Sequence, residues 1–182
     1  GNKGDEKADY TNNFKADGVS IDTKTTYYYN ITGNAFASAS IANADSYMTR
    51  SNTTRNDSTS SVKQVSYYQG TEAGSESVDW SQEYNYDGSS VKTTTIYSND
   101  SSGALLESIV YKDDTIRTSK PTSLTLKKSD TFYKGNKGEE KSDYTNNYKP
   151  NGATIDTTTT YYYHTSSDDF ARAVDANADS YM

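Results

Sequence analysis

The chain nearly repeats itself. Residues 1–48 and residues 135–182 align without a gap, and about two-thirds of the aligned positions are identical. Both blocks begin Gly-Asn-Lys-Gly and end Ala-Asp-Ser-Tyr-Met. We refer to them as the first and second blocks. A near-copy at this distance predicts an excerpt from a longer tandem-repeat chain, with an architectural role rather than one unique active site.

A third, diverged copy lies between the two blocks. Residues 67–97 match residues 132–162 with one insertion. An Asp-aromatic pair recurs at positions 9–10, 79–80 and 143–144. The predicted organisation is therefore three related repeats: repeat A at 1–57, diverged repeat B at 58–122, and repeat A′ at 123–182.

The composition predicts a folded but thin structure. Hydrophobic residues make up 31% of the chain and the mean hydropathy is −0.99, whereas globular chains contain roughly 45–50% apolar residues. Disordered chains are poor in aromatic and β-branched residues, yet this chain has 18 tyrosines. Because Tyr buries its ring and keeps its hydroxyl in water, a sheet with little interior suits this composition.

Each copy has the pattern of a β-hairpin. The turns are predicted at Asp17-Gly18, Asp87-Gly88 and Asn151-Gly152, dipeptides that accept positive φ at both central positions. Two-residue loops there place an aromatic residue opposite a β-branched one, a favourable cross-strand pair. The predicted pairs are Phe14–Ile21, Tyr84–Val91 and Tyr148–Ile155, then Tyr10–Thr25, Trp80–Thr95 and Tyr144–Thr159.

Pro150 favours a different turn in the last hairpin. It precedes Asn151-Gly152 and suits the second position of a type I turn that is followed by a glycine bulge. Such a loop would shift the register by one residue and take Tyr148 off the face of Ile155. We favour the two-residue loop because the aromatic pairing recurs three times.

The segments around the hairpins complete a mainly β fold class. We predict a third strand before two of the hairpins, over 61–69 and 124–134, and a further strand over 103–111. Tyr27-Tyr28-Tyr29 and Tyr161-Tyr162-Tyr163 put rings on both sheet faces. The result is a tandem array of antiparallel β-hairpins or three-stranded meanders, extended and stacked.

The remaining segments are predicted to be arms and connectors. Residues 166–181 and the Ala-rich 35–48 have helical spacing, which predicts a short helix or an irregular arm that packs through Phe36 and Phe170. Residues 51–61 and 113–121 are predicted to be polar connectors.

Several function classes are disfavoured by the sequence. The net charge is −7 without a basic stripe, so we expect no nucleic-acid partner. Cys is absent, and no apolar run approaches the roughly 20 residues of a membrane helix. His164 is replaced by Asn30 and Ser98 in the other copies. Because the copies share no His, Cys or carboxylate pair, we expect no enzyme activity, no cofactor and no metal; Asp175–Asp179 resembles a calcium loop but lacks its glycine.

The recurring element, with Asp-Tyr, then Asp-Gly or Asn-Gly, then Thr-Thr-Thr and Tyr, covers residues 6–29, 76–97 and 140–163. It resembles the Tyr-Asp-Gly hairpin repeats of very large bacterial surface and secreted proteins, and more distantly the YD-repeat scaffolds of the Rhs and teneurin class. The resemblance implies an extracellular or cell-surface β-scaffold. The Ala-rich segments depart from the YD pattern, which favours an open ribbon or fibre over a closed shell.

The leading expectation is a non-enzymatic fibre, sheath or stalk that assembles with itself or with neighbouring repeats through open sheet edges. Tyr28 and Tyr162 are the predicted contacts between units. The alternative is an adhesin-like carbohydrate-binding module, in which the Tyr27–Tyr29 and Tyr161–Tyr163 clusters, Tyr28 and Tyr162 above all, stack on sugar rings. The predicted interior face consists of Tyr10, Phe14, Ile21, Tyr27, Trp80, Tyr84, Val91, Tyr144, Tyr148, Ile155 and Tyr161. Candidate N-glycosylation sites, in sequons no more frequent than chance gives, are Asn30, Asn52, Asn56 and Asn99.

Overall fold

The structure, a computed structural model, describes residues 6–166 and 170–182 and is mainly β, as predicted. All strand pairings described below are antiparallel. Two short 3-10 turns, Ala39–Ile41 and Ala173–Asp175, are the helical segments of the described residues. The strands are β1 (Tyr10–Phe14), β2 (Ile21–Ile31), β3 (Asn34–Ser38), β4 (Met48–Arg55), β5 (Val62–Gln69), β6 (Ser77–Tyr84), β7 (Val91–Asn99), β8 (Leu105–Lys112), β9 (Lys127–Lys134), β10 (Lys141–Tyr148) and β11 (Ile155–Thr160).

The chain divides into two compact units. The first unit contains residues up to 93 together with 114–116, and its strand order is β1–β2–β4–β5–β6, with β3 paired to β2. The second unit contains 94–113 and 117–182, with the order β8–β9–β10–β11. The first block thus lies in one unit and the second block in the other.

The hairpin loops are four residues long rather than two. In the first hairpin the amide of Gly18 donates to Lys15 O at 2.9 Å, and the amide of Lys15 donates to Ser20 O at 2.8 Å. Gly18 has a positive φ of 69°, whereas the φ of Asp17 is not positive. This is a type I turn followed by a left-handed glycine. The last hairpin has the same bonds from Lys149 and Gly152, so the type I turn that Pro150 favoured is present. The register shift expected with that turn is wrong, because Tyr148 still lies opposite Ile155.

The predicted register is right near the turn and wrong beyond it. Phe14 lies opposite Ile21 and Tyr148 opposite Ile155, because the four-residue loop is centred on the same Asp-Gly or Asn-Gly pair as the predicted two-residue loop. A bulge next to each pair then inserts one extra residue. Tyr10 therefore lies opposite Thr26 instead of Thr25, and Tyr144 opposite Thr160 instead of Thr159.

Of the two forms predicted for the arm, the short helix is wrong for the residues described. In the first block the arm consists of strand β3 and a single 3-10 turn. Ala37 pairs with Tyr29 and is 1% exposed, so a neighbouring strand satisfies this backbone better than a short, marginal helix would. In the second block Ala171 pairs with Tyr163 in the same way. Of the predicted packing residues, Phe36 is partly exposed but contacts Tyr67 and Arg50, whereas Phe170 is largely exposed.

The other strand predictions have mixed outcomes. The strands predicted over 61–69, 124–134 and 103–111 are present as β5, β9 and β8. The sequence predicts a polar connector over 51–61. This prediction is wrong for residues 51–55, because they belong to β4, which ends at Arg55. Its sequence Met-Thr-Arg-Ser-Asn-Thr-Thr-Arg has no alternation of apolar and polar residues. Pairing to β2 on one side and β5 on the other makes it a strand.

The core of the first unit is small. Val65, Tyr84 and Val91 form a buried cluster, and Val62 and Tyr67 pack against it. Gln82 is fully buried and its Nε2 donates to Thr115 O at 2.9 Å. Polar side chains therefore occupy interior positions that larger proteins give to apolar ones, and their hydrogen bonds offset the cost of burial.

Candidate interaction surface

A row of stacked side chains crosses one face of the first unit. Tyr28, Arg50, Tyr67 and Trp80 lie opposite one another on β2, β4, β5 and β6. The Tyr67 and Trp80 rings are stacked, with centroids 4.2 Å apart and planes 5° from parallel. Directly opposite residues share a sheet face and interact. We call this set the aromatic row.

Arg50 is held between two rings in this row. Its Cζ lies 4.4 Å from the centroid of the Tyr28 ring and 4.4 Å from that of Phe36. Phe36 comes from β3 and also meets Tyr67 edge-on at 6.4 Å. Arg50 Nε is buried, and no hydrogen-bond partner for it lies among the described residues. Cation–π contact with the two rings therefore stabilises the positive charge of this guanidinium.

The second unit contains a related row. Glu107, Phe132 and Tyr144 lie opposite one another on β8, β9 and β10. The Phe132 and Tyr144 rings stack at 4.6 Å, as Tyr67 and Trp80 do. Glu107 holds the position that Arg50 holds in the first unit. Burial, followed by the nearby Asp130 charge, raises the pKa of Glu107, while Lys127 opposes this shift.

The opposite face of each unit is lined by hydroxyl groups. In the first unit Thr25 Oγ1 lies 2.9 Å from Thr53 Oγ1, and Ser51 Oγ lies 3.1 Å from Tyr68 OH. In the second unit Ser108 Oγ and Tyr133 OH make the contact that matches Ser51–Tyr68, at 3.2 Å, and Thr131 Oγ1 lies 2.8 Å from Thr145 Oγ1. The high Thr, Ser and Tyr content thus supplies cross-strand hydrogen bonds in place of apolar packing.

The two blocks repeat their long-range anchors. Tyr29 OH donates to Ala8 O at 2.8 Å, and Tyr163 OH donates to Ser142 O at 2.7 Å. Both rings are buried, at 6% and 5% exposed, and burial raises the pKa of Tyr29 and of Tyr163. Sequence reasoning did not select these two tyrosines, although their recurrence at the end of each Tyr run was an available signal.

A polar turn also recurs, at Asn43–Ser46 and at Asn177–Ser180. In each block the Asn amide donates to the Ser Oγ at 3.1 Å. The Ser amide donates back to the Asn carbonyl oxygen, also at 3.1 Å. A lysine ties each turn to its hairpin, because Lys7 Nζ donates to Ala44 O at 2.9 Å and Lys141 Nζ donates to Ser180 O at 2.7 Å. The segment that resembled a calcium loop is thus a hydrogen-bonded turn.

Matching surface cavities lie beside these turns. The first has a volume of about 290 Å³ and is lined by Asn30, Asn43, Asp45 and Tyr47, among others. The second has a volume of about 400 Å³, with His164, Asn177, Asp179 and Tyr181 at the equivalent positions. His164 stacks on Tyr181 with ring centroids 5.1 Å apart. The two blocks therefore share a cavity that combines polar side chains with an aromatic one at equivalent positions, Tyr47 and Tyr181.

The residues of the predicted interior face have different environments. Trp80, Tyr84 and Val91 are buried, at 3%, 8% and 4% exposed. Tyr10, Phe14 and Ile155 are about half exposed, at 50%, 55% and 47%. Those of intermediate burial are Ile21, Tyr27, Tyr144, Tyr148 and Tyr161.

The bulges also divide this set between faces. Tyr27 OH contacts Thr11 Oγ1 at 3.1 Å on the hydroxyl face, whereas Tyr10 and Phe14 alternate onto the other face. Tyr161 OH contacts Thr145 Oγ1 at 3.2 Å in the same way. A single residue inserted beside the turn thus separates tyrosines that simple alternation would place together.

The two predicted inter-unit tyrosines differ. Tyr28 lies against Arg50 in the aromatic row, and Tyr162 is 50% exposed. Arg50 itself was not selected from the sequence, because the related position carries Glu107 and offers no recurring signal.

The four candidate glycosylation sites all lie near strands. Asn30 Nδ2 donates to Tyr47 OH at 2.6 Å, and Asn56 Nδ2 donates to Ile21 O at 3.3 Å. Asn99 Nδ2 donates to Gly103 O at 3.1 Å. Asn52 lies within β4, and its buried Oδ1 has no hydrogen-bond partner among the described residues.

Two further observations limit the chemistry of the described residues. Across 6–166 and 170–182, no three His, Asp or Glu side chains are grouped so that they could hold a metal ion. Within the same ranges, no helix has the length and apolar character needed to cross a membrane.

Comparison with known proteins identified no relative. Neither family models nor curated proteins nor solved structures gave a match to this chain.

Proposed function

We propose that this chain is part of a non-enzymatic structural protein, a tandem β-repeat that builds an extracellular or cell-surface fibre, sheath or stalk. The observation that carries the proposal is the recurrence of the same long-range contacts in the two blocks, from Tyr29 and Lys7 to Tyr163 and Lys141. Repeats that fold alike and contact their neighbours through sheet edges add their stabilities together.

The exposed aromatic residues support self-assembly as the mechanism. Phe14, Tyr86 and Tyr162 are at least half exposed, and rings on open sheet faces supply contact area for a neighbouring repeat or chain. β1 lies at one end of the strand order in the first unit, and β11 lies at one end of the strand order in the second unit. Strands at the ends of open sheets present unpaired backbone groups, which favour pairing with another strand.

The test is electron microscopy and sedimentation of the full-length protein. We expect regular polymers whose mass grows with protein concentration. A monodisperse monomer at every concentration would contradict the proposal. A broad screen for hydrolase and transferase activity should remain at background.

The matching cavities support a second candidate, an adhesin-like module that binds carbohydrate. Each combines Asn, Asp and Ser groups with a tyrosine wall, the groups that bond sugar hydroxyls and stack on sugar rings. Glycan-array binding that is lost in a Tyr47→Ala, Tyr181→Ala double variant would favour it. Tyr86→Ala, which removes an exposed tyrosine outside these cavities, is the matched control.

A further inference from the structure

The open edge of β11 is equivalent to an edge that is occupied in the first block. β2 pairs with β1 and also with β4. Its equivalent β11 pairs with β10, and no strand among the described residues lies on its other side. Burial reflects this difference, because Thr23 on β2 is 4% exposed while the equivalent Thr157 is exposed.

The backbone of β11 presents hydrogen-bonding groups to this open edge. The Tyr161 amide donates to Asp143 O at 3.0 Å, as the Tyr27 amide donates to Asp9 O at 3.0 Å. Amides alternate in direction along an antiparallel strand. The amides of Thr157 and Thr159 therefore point toward β10, and those of Thr158 and Thr160 point to the open edge.

The side chains beside this edge also match an occupied site. Arg50 of β4 lies between Tyr28 and Phe36 in the first block. The equivalent residues in the second block are Tyr162 and Phe170, which are 50% and 73% exposed, compared with 42% for Phe36. The second block thus carries both aromatic residues of an arginine-binding pair.

The chain path at the end of the second block leads to the same edge. The His164 amide donates to Tyr181 O at 2.8 Å, as the Asn30 amide donates to Tyr47 O at 2.8 Å. In the first block the residue after Tyr47 begins β4. A segment attached after Met182 would therefore enter the open edge of β11 from the position that β4 occupies beside β2.

We propose that the open edge of β11 binds an extended strand with the sequence of Met48–Arg55, and that the counterpart of Arg50 in this strand stacks between Tyr162 and Phe170. The register follows from β2 and β4, in which Thr25 lies opposite Thr53 and Thr26 opposite Asn52. The bound strand thus places its copy of Thr53 opposite Thr159. This inference rests on the proposed structural function and names the partner of one sheet edge in it.

The direct test is an extended chain in which a copy of residues 49–55 follows Met182. Amide hydrogen exchange, measured by NMR, should slow about ten-fold or more at Thr158 and Thr160, because backbone groups buried in a ladder exchange by local opening. Thr157 and Thr159 already bond to β10 and serve as internal references. A matched control extension carries glutamine where the copied strand has Arg50, and should lose about two- to five-fold of the added protection.

A substitution within β11 tests the same contact independently. Thr158→Pro removes the amide that points to the open edge and keeps the ladder to β10, since proline is tolerated on edge strands. In the extended chain it should abolish the added protection at Thr160. Should this variant unfold β11, a synthetic peptide copying residues 48–56 and added to the unextended chain replaces it, and should shift the NMR signals of Thr158 and Thr160.

The outcomes separate this inference from the proposed function. Fast exchange at Thr160 with Thr159 still protected, or a peptide that shifts neither signal, would overturn the edge site even if the full-length protein forms polymers. Protection at Thr158 and Thr160 together with a strictly monomeric full-length protein would uphold the edge site and overturn the fibre.

Discussion

The glycines at the tips of the first and last hairpins have the same backbone conformation but different environments. Gly18 and Gly152 both have a φ of 69°, a region that L side chains rarely adopt. A Cβ added at Gly18 would have no heavy atom within 4 Å. A Cβ added at Gly152 would lie 2.6 Å from Leu126 Cα.

These two positions allow the cost of backbone strain to be separated from the cost of a clash. We expect Gly18→Ala to lower the free energy of unfolding by about 1–2 kcal/mol through its positive φ. Gly152→Ala should cost about 1–3 kcal/mol more, because backbone atoms must move. Urea denaturation followed by circular dichroism measures both variants, and equal losses would contradict the close approach at Gly152.

Asp17 acts as an acceptor at the tip of the first hairpin. Hydrogen bonds from the Ser20 hydroxyl, and then from the Val19 and Ser20 amides, lower the pKa of Asp17 from 3.8 to about 2. In the last hairpin the neutral Asn151 plays the same part, because its Oδ1 accepts from the amides of Ala153 and Thr154.

The lowered pKa predicts a pH dependence of this turn. Because the folded pKa lies below the unfolded value, the stabilising effect of Asp17 is present above about pH 4 and is lost as the pH falls toward 2. The NMR signals of Val19 and Ser20 should titrate with a midpoint near pH 2. In Asp17→Asn that transition should disappear while the turn is kept; a midpoint near 4 in the native chain would exclude these hydrogen bonds.

At the scale of elements, a glutamate binds the loop that precedes β6 and another binds the loop that precedes β10. Glu76 accepts from the Met48 amide at 2.7 Å and from the Gly74 amide at 2.9 Å. Glu140 accepts from the Leu105 amide at 3.0 Å and from the Gly138 amide at 2.9 Å. Glu76 thereby joins the loop before β6 to the start of β4, and Glu140 joins the loop before β10 to the start of β8. In each case the two strands are separated by one other strand of the sheet.

Loss of this carboxylate should weaken the first unit. Glu76→Ala leaves two amides without their charged acceptor, and we expect it to lower the free energy of unfolding by about 1–3 kcal/mol. Glu72→Ala, at an exposed position of the same loop, is the control and should cost less than about 0.5 kcal/mol. The fluorescence of Trp80, which is buried in this unit, follows the transition in urea. Equal midpoints for the two variants would argue against the clamp.

The strands that sequence reasoning found and missed differ in one physical respect. β5, β8 and β9 contain β-branched or aromatic residues, such as Val65, Ile109 and Phe132, and these residues favour strands locally. β4 contains a single apolar residue, Met48. Its extended conformation depends on two neighbouring strands, a long-range condition that a local pattern does not express.

At the scale of the whole molecule, charge and open edges together predict pH-dependent association. The net charge is −7 at pH 7 and the isoelectric point is about 4.7. Repulsion between chains falls as the charge approaches zero, while the exposed rings and edge strands remain. Sedimentation velocity should therefore detect more association near pH 4.7 than at pH 8, and added salt should narrow the difference at pH 8. Greater association at pH 8 would contradict this expectation.

The sequence by itself determined the β class, the positions of the three turns and the aromatic pairs beside two of them. These depend on neighbours along the chain: an Asp or Asn before Gly sets the turn, and a β-branched residue follows at fixed distance. The tertiary structure decided which tyrosines share a face, because the bulges beside Phe14 and Tyr148 shift every later residue by one. It also decided the pairing of Arg50 with Tyr28 and Phe36, since that contact joins three strands and no periodicity of one segment contains it.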